Sequence, residues 1–549
     1  MTDDLFEATA SAYAYPLLIK NILDAPLGYA AKQEIVYRDV SRYTYQTLRE
    51  RIGRLASALA QVGVKPGDTV AVMDWDSHRY LECYFSVPMM GAVLQTVNVR
   101  LAPEQILYTL NHARATTLLV NSDFLPCLNQ IKDKLETVRN FVLLTDAAQI
   151  PENAIGFESE YERLLASGSA DHEFSDFDEN TRATTFYTTG TTGLPKGVYF
   201  SHRQIVLHTL GLLTVFGLQP GQGRFHRDDV YMPITPMFHV HAWGFPFAAT
   251  MAGVKQVYPG RYAAQDLLAL KRDEGVTFSH CVPTILQMLL GCPMAKDVDL
   301  AGWKIIIGGA ALPTSLARAA LARGIDVFAG YGMSETCPLL TVAHLKTPLP
   351  MADEELALRT KAGIPVPLVT LRIVDEQMRD VERDGKMTGE IVARAPWLTQ
   401  GYLHNAVASE QLWAGGYLHT GDTGKIDADG YLQITDRIKD VIKSGGEWIS
   451  SVAIEDIILQ HLSVSEVAVI AMPDAKWGER PLALVVLKKD DIGKPSAADI
   501  QTHIQNYANR GVISKLAVPQ QILFVKELER TSVGKLNKRA MREKYCAPR

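Results

Sequence analysis

The residues best equipped for chemistry crowd into one short stretch, TTGTTGLPKGV at 188–198. Backbone N–H groups beside glycine and the hydroxyls of neighbouring threonines can face a single anion, and Lys196 adds charge. The stretch is not a Walker loop. That pattern needs four residues between its glycines and then Gly-Lys-Ser/Thr, whereas only two separate Gly190 from Gly193, and Lys196 follows Pro195. A surface turn would not require four threonines, two glycines and a Pro-Lys-Gly together, so the loop is expected to hold an anion in some other setting.

Further segments follow in order: GYGMSET at 330–336, GYLHTGD at 416–422, DRIKDVIKSGGEWIS at 436–450, WGER at 477–480 and ERTSVGKLNK at 529–538. Together with TTGTTGLPKG they resemble the adenylate-forming superfamily of acyl-CoA synthetases, firefly-type luciferases and peptide-synthetase adenylation domains. The six spaced segments cover nearly the whole chain. The resemblance implies ATP, Mg²⁺ and coenzyme A. A carboxylate is first joined to AMP with loss of pyrophosphate, because an anionic carboxylate has no leaving group, and the thiol of coenzyme A then displaces AMP.

By the same resemblance, Thr188, Thr189, Gly190, Thr191, Thr192, Gly193 and Lys196 close over the β- and γ-phosphates. Lys535 bridges the carboxylate and α-phosphate oxygens, and Glu335 ligates Mg²⁺, a hard dication suited to oxygen ligands. Tyr331 stacks on adenine, Gly332 and Ser334 meet the nucleotide, and Asp422 takes the ribose hydroxyls. Arg437 contacts ribose or phosphate, while Gly308, Gly309 and Ala310 let backbone approach nucleotide and acyl group. Lys439 matches the position of a hinge. Read alone, Lys535 would be a solvated lysine, Glu335 a helix cap, Tyr331 a core tyrosine and Asp422 a turn residue. Two departures stand out: Ser334 replaces the usual threonine, and Glu529 stands where proline is frequent.

The loop PMFHVHAWG at 236–244 resembles the fatty acyl-CoA ligase branch, which implies that Trp243 gates the acyl tunnel and His239 borders the reacting carboxylate. Lys443, Gly445, Gly446 and Glu447 suit a pantetheine path. Within that branch the chain resembles bacterial short- to medium-chain ligases, the 3-methylmercaptopropionate-CoA ligases among them. Three other readings remain open: a medium- to long-chain ligase, a luciferase-like oxygenase, and a non-catalytic nucleotide-binding regulatory protein. The last would release no pyrophosphate from acid and ATP.

These residues need a frame. At 549 residues the chain exceeds the roughly 250–300 at which single cores stop growing. Helical spacing at Leu48, Ile52, Leu55, Leu59 and Val62 ends at Gly63, and the strand TVAVM follows at 69–73. Alternating apolar strands and helices continue to about 365, predicting a layered α/β domain. Short strands with turns then form a β-rich part, with a hairpin at Asp429-Gly430. The expected division is a large domain over 1–436 and a small mobile α+β domain over 437–549. The uncharged run 230–254 is long enough for a bilayer but is interrupted by Pro233, Pro236 and Pro246, so it is read as buried chain around a pocket. The basic stretch KLNKRAMREKY suits a solvated helix face.

A net charge of −6 argues against a nucleic-acid partner. The six cysteines lie far apart, without a CxxC pair, and read as reduced thiols. The acidic start MTDDLFEATA lacks the features of a signal peptide, so a cytoplasmic protein is expected; separately, a homodimer is expected.

Overall fold

The computed structural model describes residues 7–147, 155–188, 194–219, 221–346, 352–445, 447–488, 495–531 and 535–546. Helix formation begins where the apolar spacing begins. Thr44 caps Tyr45–Gln61 by accepting from the Thr47 N–H at 3.3 Å, and Gly63, at φ +92°, turns the chain away. The next strand, Thr69–Met73, is buried at every position. Such uninterrupted apolar runs are what a sheet covered on both faces requires.

Two large sheets carry the bulk of the chain. One has seven strands, with Thr69–Met73 between Ala115–Asn121 and Val93–Thr96, and ends in the antiparallel pair Arg182–Thr188 and Lys196–Ser201. The other has nine strands. Its parallel centre runs through Val230–Pro233, Phe278–Cys281, Lys304–Ile307 and Asp326–Gly332. The two sheets share one apolar core, in which Leu59, Val72, Phe85, Phe186, Phe247 and Trp397 are all buried. A four-stranded antiparallel sheet follows, built from Thr370–Val374, Gly389–Arg394, Leu418–Ile426 and Leu432–Arg437. Gly430, at φ +86°, sits in the connection between the last two strands, where the Asp-Gly hairpin is expected.

The small C-terminal domain has its own five-stranded sheet and a separate core around Ile442, Ile454, Val467, Val485 and Ile504. Pairing of Leu432–Arg437 with the preceding strand extends through Arg437, opposite Asp422, so the connection between the sheets falls at 438–441. Side-chain contacts tether that connection. The Ser451 N–H and hydroxyl donate to Asp436 at 2.7 and 2.5 Å, and Arg542 pairs with Asp440 at 2.7 Å. The basic C-terminal stretch forms the helix Lys538–Tyr545, with Met541 turned inward.

The run 230–254 is buried chain: the strand Val230–Pro233, a turn, and the helix Phe245–Ala252 with Pro246 in its first turn. No helix among the described residues is long and apolar enough to cross a membrane.

Candidate active site

Three strands of the nine-stranded sheet deliver the site from their carboxyl ends, where open α/β sheets bind ligands. Asp326–Gly332 runs into Tyr331 and the turn bearing Glu335, Lys304–Ile307 runs into Gly308 and Gly309, and Val230–Pro233 leads to the turn with His239 and Trp243. Several glycines are required by packing. A Cβ on Gly332 would lie 1.7 Å from the Pro338 carbonyl oxygen, and one on Gly308 would lie 2.9 Å from the Trp243 ring. At Gly309, with φ +77°, a Cβ would meet the Lys535 side chain at 3.1 Å.

Lys535 therefore reaches the cleft from the small domain. Two backbone bonds position it: the Thr531 N–H donates to the Lys535 carbonyl at 2.7 Å and the Asn537 N–H to the Glu529 carbonyl at 2.8 Å. Glu529 also pairs with Lys544 at 2.6 Å, which ties down the position where proline is frequent in the superfamily. Burial pushes the Lys535 ammonium down to about 8. Arg437 adds to that shift, and Asp422 and Glu335 oppose it.

On the nucleotide side, the Tyr331 hydroxyl donates to Asp422 Oδ2 at 2.9 Å, and Arg437 Nε lies 3.4 Å from Asp422 Oδ1. Burial raises the Asp422 carboxyl, against the pull of Arg437, Tyr331, Lys535 and Lys439. Glu335 is 6% exposed and has no ion-pair partner among the described residues. Its Oε1 accepts from the Tyr402 hydroxyl at 2.8 Å, and Lys196 Nζ lies 4.5 Å above the Tyr402 ring. Burial raises its carboxyl, while Tyr402, Lys196 and Lys535 hold it down. A buried carboxylate with no ion-pair partner among the described residues fits a hard dication with oxygen ligands, so Mg²⁺ is compatible with the residues present.

On the acyl side the backbone is unusual. Val240, His241, Ala242 and Trp243 have φ of 44°, 56°, 47° and 59°, a left-handed run with no glycine until Gly244. Anchors hold it from the other sheet: Asp76 Oδ1 accepts the Met237 N–H at 2.7 Å, Thr96 Oγ1 donates to the Phe238 carbonyl at 3.0 Å, and the Tyr84 hydroxyl donates to the Met237 carbonyl. His241 Nε2 meets Thr184 Oγ1 at 2.9 Å. The Trp243 ring, 9% exposed, stacks on His280 with centroids 5.0 Å apart, and His280 Nε2 meets the Tyr231 hydroxyl at 2.8 Å. Burial lowers His239, His241 and His280 to about 3, so all three imidazoles are neutral near pH 7; Lys535 and Arg100 push His239 the same way.

These groups enclose a cavity of about 40 Å³, lined by His239, Trp243, Gly308, Gly309, Tyr331 and Lys535 among others. A larger cleft of about 470 Å³ runs along the edge strand Lys196–Ser201 beside Arg182, Arg203 and His404. It shares only Tyr402 with the residues just described. The structure thus brings together Lys535, His239, Glu335, Tyr331, Gly332, Ser334, Gly308, Gly309, Trp243, Asp422 and Arg437. Thr188 and the exposed Lys196 face each other across the hairpin that carries the phosphate loop, and Ala310 is exposed at the turn after Gly309. Thr189, Gly190, Thr191, Thr192, Gly193 and Gly446 lie outside the described residues.

Lys443, Gly445 and Glu447 do not line the cavity. They are exposed in and around the hairpin of Ile442–Ser444 and Glu447–Ile449, where Gly445 packs against Trp477. Lys439 is exposed within the connection at 438–441. The sequence reading did not single out Tyr402, His280, Asp76 or Thr184. GYLHN and FSHC carried no partner at a telling spacing, so only the fold reveals what these residues touch.

Residues 25–403 match the family described as AMP-binding enzyme, and residues 453–535 match the AMP-binding enzyme C-terminal domain. The chain is 40% identical to a long-chain-fatty-acid–CoA ligase of Thermus thermophilus, over 96% of this chain and 95% of that one. It is 37% identical to a 3-methylmercaptopropionyl-CoA ligase of Ruegeria lacuscaerulensis, over 96% and 97%. Among solved structures, an anthranilate CoA ligase in complex with anthranoyl-AMP superposes with a TM-score of 0.84 at 25% identity, covering 96% of this chain and 98% of that one.

Proposed function

Because this chain belongs to the AMP-binding enzyme family and is an AMP-forming acyl-CoA ligase working through an acyl-AMP, we propose that it activates a short- to medium-chain acid, 3-methylthiopropionate among its substrates. The observation that carries this choice of acid is the 40 Å³ cavity closed by Trp243 against Gly308, which leaves little room beyond a carboxylate and a short tail. The 40% identity to the Thermus long-chain ligase favours a second reading, in which Trp243 swings aside for a medium or long chain.

In the first step an acid oxygen attacks the α-phosphorus of ATP and pyrophosphate leaves. Lys535 lies beside Gly309 and Tyr331 and supplies positive charge where two anions converge. Lys196 and the loop at 188–193 hold the leaving phosphates. Asp422, positioned by Tyr331 and Arg437, accepts from the ribose hydroxyls. The neutral His239 borders the carboxylate without contributing charge. Glu335 would hold Mg²⁺, which supplies charge neutralisation on the triphosphate when bound. In the second step the thiol sulfur of coenzyme A attacks the acyl carbon and AMP leaves. The exposed Lys443, Gly445 and Glu447, together with Gly446, would line the thiol's path once the small domain turns about Lys439, where a few dihedrals can reorient it. We expect a cytoplasmic homodimer.

A substrate panel tests the reading. With ATP, coenzyme A and acids from propionate and 3-methylthiopropionate to palmitate, AMP and pyrophosphate should form in step with thioester. Activity should be highest at short to medium length, and an optimum at palmitate would select the second reading instead.

A further inference from the structure

Lys196 and Glu335, residues of opposite charge, both contact Tyr402, yet no ion pair joins them among the described residues. Direct pairing would neutralise both, and neither would be left for a ligand. One side chain stands between them. The hydroxyl of Tyr402 donates to Glu335 Oε1 at 2.8 Å, and its ring face lies under Lys196 Nζ at 4.5 Å. A phenol can do this because its two ends differ: the O–H donates to an anion while the π face attracts a cation.

The backbone around Tyr402 is pinned to both elements it serves. Tyr402 bridges Val198, and the Leu403 N–H donates to the Gly197 carbonyl at 2.8 Å, which fixes it to the strand that begins at Lys196. Three residues earlier, the Thr399 N–H donates to the Glu335 carbonyl at 3.0 Å and the Thr399 hydroxyl to the Tyr199 carbonyl at 2.9 Å. The loop 399–403 therefore ties the phosphate strand of one sheet to the Glu335 turn of the other. The Tyr402 N–H, donating to Ser409 Oγ at 2.9 Å, steadies the loop from behind.

We propose that Tyr402 is a positioning residue for adenylation, whose hydroxyl orients Glu335 toward the cation and whose ring seats Lys196 for the phosphates, keeping the two apart. The proposal rests on the reading of Glu335 as the Mg²⁺ carboxylate. It also makes the two ends of one side chain separable. Tyr402→Phe removes the hydroxyl and keeps the ring, whereas Tyr402→Leu removes both.

The test is Mn²⁺ binding followed by electron paramagnetic resonance, with a non-hydrolysable ATP analogue, on the full-length wild type, Tyr402→Phe, Tyr402→Leu and Glu335→Gln. Thermal melts check that each variant is folded. Loss of an outer-shell hydrogen bond typically weakens metal binding about 10–100-fold. Tyr402→Phe should show that loss while binding the metal-free analogue as the wild type does. Tyr402→Leu should show it together with about 2–5-fold weaker binding of the metal-free analogue, the size expected for a lost exposed cation–π contact. Wild-type Mn²⁺ affinity in Tyr402→Phe, with Glu335→Gln impaired, would overturn the role of Tyr402 and leave the Glu335 reading standing. Wild-type Mn²⁺ affinity in Glu335→Gln would overturn the Glu335 reading and the proposal with it.

Discussion

The wall of the cleft formed by Lys196, Tyr402, Glu335 and Asp422 carries charge, and the opposite wall, His239, His241, Trp243 and His280, carries none near pH 7. The contrast comes from what surrounds each set. Burial raises the carboxyls of the first wall, but hydrogen-bond donors and cations within reach pull against it. The imidazoles on the second are boxed by rings and backbone, and burial alone drives His241 and His280 down to about 3. A reaction between two anions needs a cation at their meeting point, and the acyl wall cannot provide one. In the proposed mechanism Lys535 brings it from the small domain, so the charge is delivered by the arrangement of domains rather than by the wall itself.

Removing that delivered charge should have the largest effect. Lys535→Ala is expected to lower the rate of acyl-AMP formation by about 10²–10³-fold, the cost typical of losing a group that stabilises developing charge. Thioester formation from supplied acyl-AMP should change far less, and pre-steady-state assays of the separate half-reactions would reveal an equal loss if the contrast is wrong.

The pH profile sharpens the same point. In the proposed mechanism Lys535 works as a cation, and its ammonium is lowered to about 8. Its contribution is therefore complete well below that pH and lost as pH rises through it, so kcat/KM for ATP should fall about tenfold per unit above pH 8. Lys535→Arg should shift that fall to higher pH. His239, at about 3, should add no acidic limb near 6.5.

On the uncharged wall, Trp243→Ala should open the cavity and raise the kcat/KM of decanoate relative to 3-methylthiopropionate by roughly tenfold, within the range that apolar pocket contacts discriminate. An unchanged ratio would mean that the indole is not the gate. The smallest effect is expected for Thr184→Val, which leaves His241 Nε2 without its 2.9 Å partner. The cost should be about 1–3 kcal/mol of stability, read by urea unfolding, with the acid preference kept.

Legibility in the sequence followed the kind of information each feature carries. The strand TVAVM and the helix ending before Gly63 are set by local pattern, and both appear where periodicity places them. The motif segments marked Lys535, Glu335, Tyr331 and Asp422 because residue type and order survive in one dimension. Tyr402 did not stand out because its meaning lies in two contacts, to Glu335 sixty-seven positions earlier and to Lys196 on another sheet. The left-handed turn was invisible for a different reason: Gly244 readily adopts positive φ and His241 tolerates it better than most, but Val240, Ala242 and Trp243 are residue types that ordinarily avoid it.

That turn makes the acyl wall a late product of folding. Left-handed backbone costs non-glycine residues roughly 1–2 kcal/mol each, so residues 240–243 would not hold this shape in an isolated peptide. Asp76, Tyr84, Thr96 and Thr184, which restrain it, all belong to the part of the chain that builds the seven-stranded sheet, whereas the turn hangs from the nine-stranded one. A nascent or half-assembled chain therefore lacks this wall even when the residues of its phosphate loop have already been synthesised. If this wall sets the choice of acid as proposed, selectivity matures only when the two sheets have met, and the choice of substrate is also a record that assembly is complete.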